Sequence, residues 1–241
     1  MTLDGTNTYL VGRDRVWVID PGPADDRHLD RVRTAAAERG GIEGVLLTHS
    51  HADHSAGAPR LDAPVRWGRV SGAVELSETA ESTQQAAGLA DRVGDRVGPF
   101  EVIATPGHAR DHVAFALGDV CFCGDLVLGA GSSIVLPDGG GLAAYLDSIE
   151  RLRSRGFALL CPGHGPWIGD PDAKLASYRD HRLDRERRLL AALSGGERSR
   201  EGLLAAVWDD VPPELGLAAA LAMEAHLAKL ADEGRLPDLE P

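Results

Sequence analysis

The 241-residue sequence has no apolar run approaching the ~18 residues that a membrane span requires. Its start, Met1-Thr2-Leu3-Asp4-Gly5, has neither the basic region nor the long apolar stretch of a secretory leader, so a cytoplasmic location with no membrane partner is expected. Cysteine is scarce as well. Cys121, Cys123 and Cys161 make an odd set, and the first two stand too close on one expected strand to bridge, which excludes a disulfide framework. Each lies in an apolar run, where a free thiol packs as a small hydrophobe. Positive charge is also in deficit: 25 Lys and Arg against 37 Asp and Glu leave a formal net charge of −12, which opposes long-range attraction to a polyanion. With 43% hydrophobic and 26% charged residues, neither disorder nor a fibrous architecture is indicated.

What the chain does contain is a succession of short apolar runs. Thr8 to Val11 and Val16 to Ile19 flank the polar Gly12-Arg13-Asp14-Arg15 and read as a hairpin. Asp20-Pro21-Gly22-Pro23 breaks the second strand. A helix is then expected over Asp26 to Arg39, with Leu29, Val32, Ala36 and Ala37 at helical spacing before Gly40-Gly41. Val45-Leu46-Leu47 suits a buried strand. Further strands are expected at Val65 to Trp67, Phe100 to Thr105, Val113 to Leu117, Val120 to Cys123 and Ala158 to Cys161, with a helix over Leu142 to Arg153. Strands that neighbour each other as hairpins and strands separated by helices together imply a mixed-sheet α/β protein. Past Pro171 strand signals stop, and helices are expected at Lys174 to Leu193, Ser199 to Trp208 and Pro213 to Glu233, broken by Ser194-Gly195-Gly196 and Asp209 to Pro213. The expected division is thus 1–172 and 173–241. Gly139-Gly140-Gly141 reads as a flexible turn; without a strand directly before it, a phosphate-cradling role has little support.

The chemistry concentrates where strands end. Directly after the Val45 strand, Thr48-His49-Ser50-His51-Ala52-Asp53-His54 places three imidazoles and a carboxylate within six residues. Neutral imidazole and carboxylate oxygen are zinc's usual donors other than thiolate. The same signal recurs in Thr105-Pro106-Gly107-His108, Cys123-Gly124-Asp125 and Cys161-Pro162-Gly163-His164-Gly165, each closing an expected strand. Four strand ends meeting on one edge would gather His49, His51, Asp53, His54, His108, Asp125 and His164 in one cleft. Taken singly, His108 or His164 beside glycine is equally a turn residue. His112 reads either as a substrate contact or ligand-orienting group or as a structural loop histidine. Tyr178 reads either as a cleft-facing residue or as packing between the two units, whereas His181 and His226, on helical stretches, read as surface or packing residues.

The ordered set His49-x-His51-x-Asp53-His54, His108, Asp125 and His164 resembles the metallo-β-lactamase superfamily. The resemblance implies an αββα sandwich of two mixed sheets and two zinc ions, one held by His49, His51 and His108, the other by Asp53, His54 and His164, with Asp125 bridging. It also implies a metal-bridging hydroxide as the nucleophile of hydrolysis, with Asp53 and Asp125 as the catalytic carboxylates. Asp125 separates the set from true zinc β-lactamases, where that carboxylate is absent, and His51 separates it from the di-iron oxygen-reducing branch, where a glutamate stands. The likeness is closer to the metallo-β-lactamase-like protein 2 family through Leu3 to Val11, Tyr145 to Leu152, Pro162-Gly163-His164-Gly165-Pro166, and Tyr178, His181, Arg182, Arg185 and Glu186. That likeness implies a C-terminal winged-helix-like unit, with Ala225 to Leu230 as its last helix and Glu233-Gly234-Arg235-Leu236 as a short wing. Because family members carry residues ahead of Gly5-Thr6-Asn7-Thr8, one edge strand is expected to be lacking.

The resemblance leaves the substrate open, since the family holds both thioesterases acting on carrier-bound acyl chains and a single-stranded-RNA endonuclease. Lys174 to Pro241 carries ten basic against thirteen acidic residues, whereas a nucleic-acid-gripping winged helix is ordinarily basic. The run Arg179, Arg182, Arg185, Arg187 and Arg188 is read as a solvated helix face balanced by Asp180, Asp184 and Glu186. An ester or thioester substrate, small or carrier-bound, is therefore expected before RNA. A non-enzymatic DNA-binding regulator with a sensing metal site is the third reading, and the acidic balance opposes it.

Overall fold

The structure, a computed structural model, describes residues 5–68, 90–93 and 96–240. The described residues form two five-stranded sheets. In the first, β1 (Tyr9–Val11), β2 (Val16–Ile19), β3 (Ile42–Leu47), β4 (Val65–Gly68) and β5 (Ala90–Val93) lie side by side in chain order. The β1–β2 pair is the expected antiparallel hairpin and the remaining pairs are parallel. The second sheet is ordered β10-β9-β8-β7-β6, from β6 (Arg96–Val97), β7 (Phe100–Ala104), β8 (Val113–Leu117), β9 (Val120–Gly124) and β10 (Leu159–Pro162). Its pairs are antiparallel except β9–β10, which needs a crossover and takes it through the helix α3 (Leu142–Arg153). Strands β5 and β6 were not expected. Ala90-Asp91-Arg92-Val93 has adjacent charges where a half-buried strand would alternate, and two residues of β6 are too few to show a period.

Side-chain alternation sorts the apolar residues into layers, because successive residues of a strand face opposite sides of its sheet. Val16 and Val18 of β2 and Val45 and Leu47 of β3 pack outward on Leu29, Val32 and Ala36 of helix α1 (Asp26–Ala37). Ala37 stays exposed at the helix end, one position beyond the stripe expected from its spacing. Ile19 and Leu46 face inward, where they meet Phe100, Val102, Val113, Phe115 and Phe122 of the second sheet. Ala114, Ala116, Cys121, Cys123 and Leu160 point to that sheet's other side, onto Tyr145, Ile149 and Leu152 of α3. The result is helix, sheet, sheet, helix. All three thiols are buried: Cys121 and Cys123 under α3, Cys161 between the sheets.

Past β10, apart from isolated bridges of His164 with Thr6 and of Ile168 with Leu160, the described residues contain helices and turns only. Helix α4 (Pro171–Ser194) starts on the Asp170 cap, three residues before the start expected from the pattern, and runs unbroken through the 172/173 position. Its first half, through Leu175 and Tyr178, completes the core beneath α3. Its second half, through Leu189 and Leu193, packs with α5 (Arg200–Val207) and α6 (Gly216–Asp232) around Leu203, Trp208, Met223 and Leu230. The stretch expected as a wing forms no strand: α6 ends in a turn at Gly234, which has φ 67°, and the Arg235 amide donates back to the Leu230 carbonyl. Among the described residues no helix is long and apolar enough to cross a membrane.

Phe115 is wholly buried between the sheets and stacks edge-on against Phe100 at 6.3 Å. Phe115→Ala is expected to lower unfolding stability by about 3–5 kcal/mol, read from urea denaturation, because it removes a ring from a layer closed on both faces.

Candidate metal centre

Strands β7, β9 and β10 run in one direction, so their C-terminal ends open on the same edge of the second sheet. The C-terminal ends of β2 and β3 meet that edge across the sandwich, and the Val113 amide at the start of β8 donates to the Thr48 carbonyl at 2.8 Å. Three turns and a one-turn helix then carry the polar residues inward. Thr48 and His49 follow β3, and Asp53 and His54 lie on α2 (Ala52–Ser55). His108 follows β7, Asp125 follows β9 and His164 follows β10. The structure therefore brings all seven residues expected from the sequence into one cluster.

The cluster contains three groups whose donor atoms lie within 4.8 Å of one another: His49, His51 and His108; His49, His54 and Asp125; Asp53, His54 and His164. His51 Nδ1 stands 3.0 Å from both His49 Nε2 and His108 Nε2. His54 Nε2 and His164 Nε2 are 3.2 Å apart. Asp125 Oδ2 occupies the middle, 3.3 Å from His164 Nε2, 3.5 Å from His54 Nε2 and 3.7 Å from His108 Nε2. Asp53 Oδ2 lies 3.3 Å from His164 Nε2.

The outer ring nitrogens decide what the inner ones present. His108 Nδ1 faces the Ile134 carbonyl at 2.8 Å and His164 Nδ1 the Gly5 carbonyl at 2.9 Å. A carbonyl oxygen only accepts, so both Nδ1 atoms carry hydrogen and each neutral ring turns an Nε2 lone pair to the centre. His54 Nδ1 donates to Asp20 Oδ2 at 2.9 Å with the same result. Thr48 Oγ1 donates to that oxygen at 2.7 Å, which leaves it to accept from His49 Nδ1 at 3.0 Å. Inward lone pairs repel one another unless a cation lies among them. Donors ~2.0–2.2 Å from a tetrahedral zinc ion stand roughly 3.3–3.6 Å apart, close to the separations here. Asp125 Oδ1 is buried with no hydrogen-bond partner among the described residues, a further sign that the carboxylate serves something other than a protein donor. The residues fit a metal centre.

The electrostatics agree. Burial works against charge on His54 and His164, yet Asp125, with Asp20 at one ring and Asp53 at the other, outweighs it and pushes both pKa values up to about 10. Positive charge is favoured there, whether a proton or a metal ion supplies it. Asp125 is held well below the usual carboxylate range: burial opposes ionisation, and His164 and His54, which donate to it when their rings are protonated, overcome it. His49, wholly enclosed, is driven the other way by burial and by His54.

His112 and Tyr178, weighed as substrate contacts, are engaged from behind. His112 is 1% exposed; its Nε2 accepts from the Asp125 amide at 3.1 Å and its Nδ1 therefore donates to Thr105 Oγ1 at 2.8 Å. Burial, then neighbouring His108, depresses its pKa to about 3, so the ring stays neutral and can go on accepting. The buried Tyr178 hydroxyl donates to the Gly131 carbonyl at 2.8 Å and accepts from the Leu128 amide at 3.1 Å. Both side chains support the loops that carry the donors. His226 is a packing residue as expected, edge-on to Trp208 at 5.9 Å.

Asp20 was read only as part of a strand break. It is 2% exposed, adopts φ 49°, and besides His54 and Thr48 Oγ1 it accepts from the Thr48 amide at 2.8 Å. The signal that could have found it was the one used elsewhere, a carboxylate at the C-terminal end of a buried strand. Two glycines have steric reasons in the same place. A Cβ on Gly163 would stand 2.2 Å from Asp125 Oδ1, and one on Gly140, in the glycine turn, 2.7 Å from the Gly107 amide beside His108.

Four of the five arginines of the α4 run are paired with carboxylates, and the run is less solvated than expected. Arg182 and Arg185 are buried; Arg185 grips Asp210 at 2.7 and 2.9 Å. Arg179 meets Glu150 and Asp180, Arg187 meets Asp184, and Arg188 meets Asp209. No free basic stripe results from these five residues.

Residues 1–164 match the family profile described as Metallo-beta-lactamase superfamily. A Drosophila melanogaster protein named beta-lactamase-like protein 2 homolog is 33% identical over 268 residues, an alignment covering 98% of this chain and 85% of that one. An Aspergillus chevalieri protein named atrochrysone carboxyl ACP thioesterase is 36% identical over 205 residues, 83% of this chain; the alignment spans only 64% of that relative's length. The crystal structure of a metallo-beta-lactamase family protein from Thermus thermophilus has the same fold, with a TM-score of 0.69, 24% identity, and 95% of this chain and 89% of that one covered.

Asp20→Asn is expected to weaken divalent-metal binding by about 10–100-fold, measured by competition with a chromogenic chelator, because one carboxylate orients His54 directly and His49 through Thr48.

Proposed function

The chain belongs to the metallo-beta-lactamase superfamily, and from that premise we propose that it is a binuclear, zinc-dependent hydrolase of an acyl thioester or ester. The observation that carries the proposal is the pair of donor groups facing each other across Asp125 Oδ2. His49, His51 and His108 would hold one ion and Asp53, His54 and His164 the other, with Asp125 between them. Nitrogen and carboxylate donors without thiolate suit zinc, although other first-row ions accept the same set. When bound, such ions lower the pKa of water towards neutrality and polarise the carbonyl under attack.

The protein's own contribution is order. Gly5, Ile134 and Asp20 fix three ring tautomers, and His112 holds the Asp125 backbone, so the donors need no rearrangement when substrate arrives. Asp53 is the more open carboxylate, its side chain 34% exposed against 10% for Asp125. With Oδ2 turned to His164, its other oxygen would be left to orient an incoming water. Asp53 thus combines metal holding with nucleophile orientation, and Asp125 holds the two halves together. No serine or cysteine nucleophile is required.

Three observations favour an acyl substrate. The Aspergillus relative is named a thioesterase acting on a carrier-bound carboxyl substrate. Ile134, whose carbonyl holds His108, leaves 38% of its surface exposed beside the centre, an apolar wall suited to an acyl chain. The helical unit over 173–241 carries ten basic against thirteen acidic residues, and four of the five arginines of its run are paired with carboxylates while Arg182 is buried, which disfavours a phosphate backbone. Residues 1–172 would then supply the chemistry and the helical unit a wall of the cleft. Three buried free thiols suit a reducing compartment, in keeping with the cytoplasm.

The test is turnover of an acyl thioester, an ester, a β-lactam and a fluorescent single-stranded RNA by the zinc-loaded protein. Thioester or ester hydrolysis that falls at least about a hundredfold in Asp125→Ala is expected. RNA cleavage without acyl hydrolysis would reverse the substrate assignment, and full activity of Asp125→Ala would overturn the role of the centre.

A further inference from the structure

Helix α4 is tied to the centre by a segment that neither contributes a metal donor nor belongs to a regular element, residues 128–134. From α4, Lys174 Nζ donates to the Gly129 carbonyl at 3.3 Å. Tyr178 Oη clamps the Gly131 carbonyl and the Leu128 amide. Arg182 Nη2 donates to Ser132 Oγ at 3.1 Å and to the Ser133 carbonyl. On its other side the same segment holds the metal donors. Ser133 Oγ donates to the Asp125 carbonyl at 2.6 Å and lies 3.3 Å from His108 Nδ1, and the Ile134 carbonyl accepts from that nitrogen at 2.8 Å.

Arg182 is an unfavourable residue for packing alone. It is 5% exposed, stands over the Tyr145 ring at 5.7 Å, and has no carboxylate partner among the described residues. Burying a cation without a counter-charge costs stability unless its hydrogen bonds compensate, and here they go to a hydroxyl and a carbonyl of one loop. An apolar side chain would fill the space at lower cost but could not set that loop's register. The two halves of the centre also differ in what supports them. The ring nitrogens of His54 and His164 are oriented by Asp20 and the Gly5 carbonyl, and the clamped segment reaches His164 only at its main chain, where the Gly129 amide donates to the His164 carbonyl at 2.9 Å, whereas the His108 ring itself is held by Ile134 of that segment.

We infer that Tyr178 and Arg182 are positioning residues for the half of the centre formed by His49, His51 and His108, acting through Ser133 and Ile134. The helical unit thereby sets the affinity of one metal position and leaves the other largely unaffected. This inference rests on the two-ion reading above.

The experiment is a zinc titration of the full chain, by competition with a chromogenic chelator, for the wild type, Arg182→Met, Tyr178→Phe, Ser133→Ala and the double variant Arg182→Met/Ser133→Ala. Thermal unfolding of the same samples controls for folding; Tyr178→Phe removes only the hydroxyl and serves if Arg182→Met does not fold. Expected are two ions in the wild type, and in Arg182→Met and Tyr178→Phe one ion weakened about 10–100-fold with the other retained at wild-type affinity. The double variant should lose less than the sum of its single variants, since both substitutions break one chain of contacts. Equal weakening of both ions, unchanged affinity for both, or strict additivity would overturn the inference. A wild type that binds no zinc would instead overturn the two-ion reading, so the two failures are distinguishable.

Discussion

Five imidazoles bring ring nitrogens together in one cluster, four of them with the outer nitrogen engaged elsewhere, and the rest of the site is arranged around holding them there. Such convergence leaves more inward acceptors than an all-protein network can supply with protons, because ring nitrogens crowd to 3.0–3.2 Å around an unpaired carboxylate oxygen. It persists because the opposite ring nitrogens are committed: His108 and His164 to carbonyls, His54 to a carboxylate, His49 to a hydroxyl that is itself held by that carboxylate. Asp20 orders two of the rings at once. Asp125 then places a negative oxygen at the point where all the donors meet.

The sandwich makes this arrangement possible. Alternation along β2, β3, β8 and β9 sends one set of side chains into the inter-sheet layer and the other under helices, which fixes register and aligns the strand ends. Donors emerge from turns at those ends, on a scaffold whose strands cannot shift without exposing a core face. Glycine admits the closest approaches: no side chain fits at Gly163, against Asp125 and His54. The helical unit is continuous with this scaffold through α4, whose first half belongs to the core under α3 and whose second half builds a core of its own.

Much of this was legible in the sequence because it depended on local pattern. Strand ends carrying His49, His108, Asp125 and His164 are visible as polar residues following short apolar runs, and helices α1, α3 and α4 as apolar residues at helical spacing. Asp20 escaped because Asp-Pro-Gly-Pro is also ordinary turn chemistry, and only the fold brings it to Thr48, 28 residues on. The choice between the two readings of His112 and of Tyr178 stayed open for a related reason. A histidine or tyrosine near a site can face the cleft or brace it, and the choice depends on long-range contacts such as Tyr178 with Gly131, 47 residues away. The arginines of α4 looked like a charged surface because spacing reports which residues share a face and not how deep that face lies. Arg182 and Arg185 are buried by the neighbours that the tertiary fold supplies.

The central claim is that the convergent donors exist to hold two metal ions at defined places. Anomalous diffraction at the zinc edge, from crystals of protein purified without chelators and supplied with zinc, tests it most directly. Two peaks are predicted, one among His49, His51 and His108, the other among Asp53, His54 and His164, with Asp125 between them. No peak in the cluster, or a single peak that leaves either group without an ion, would contradict the account.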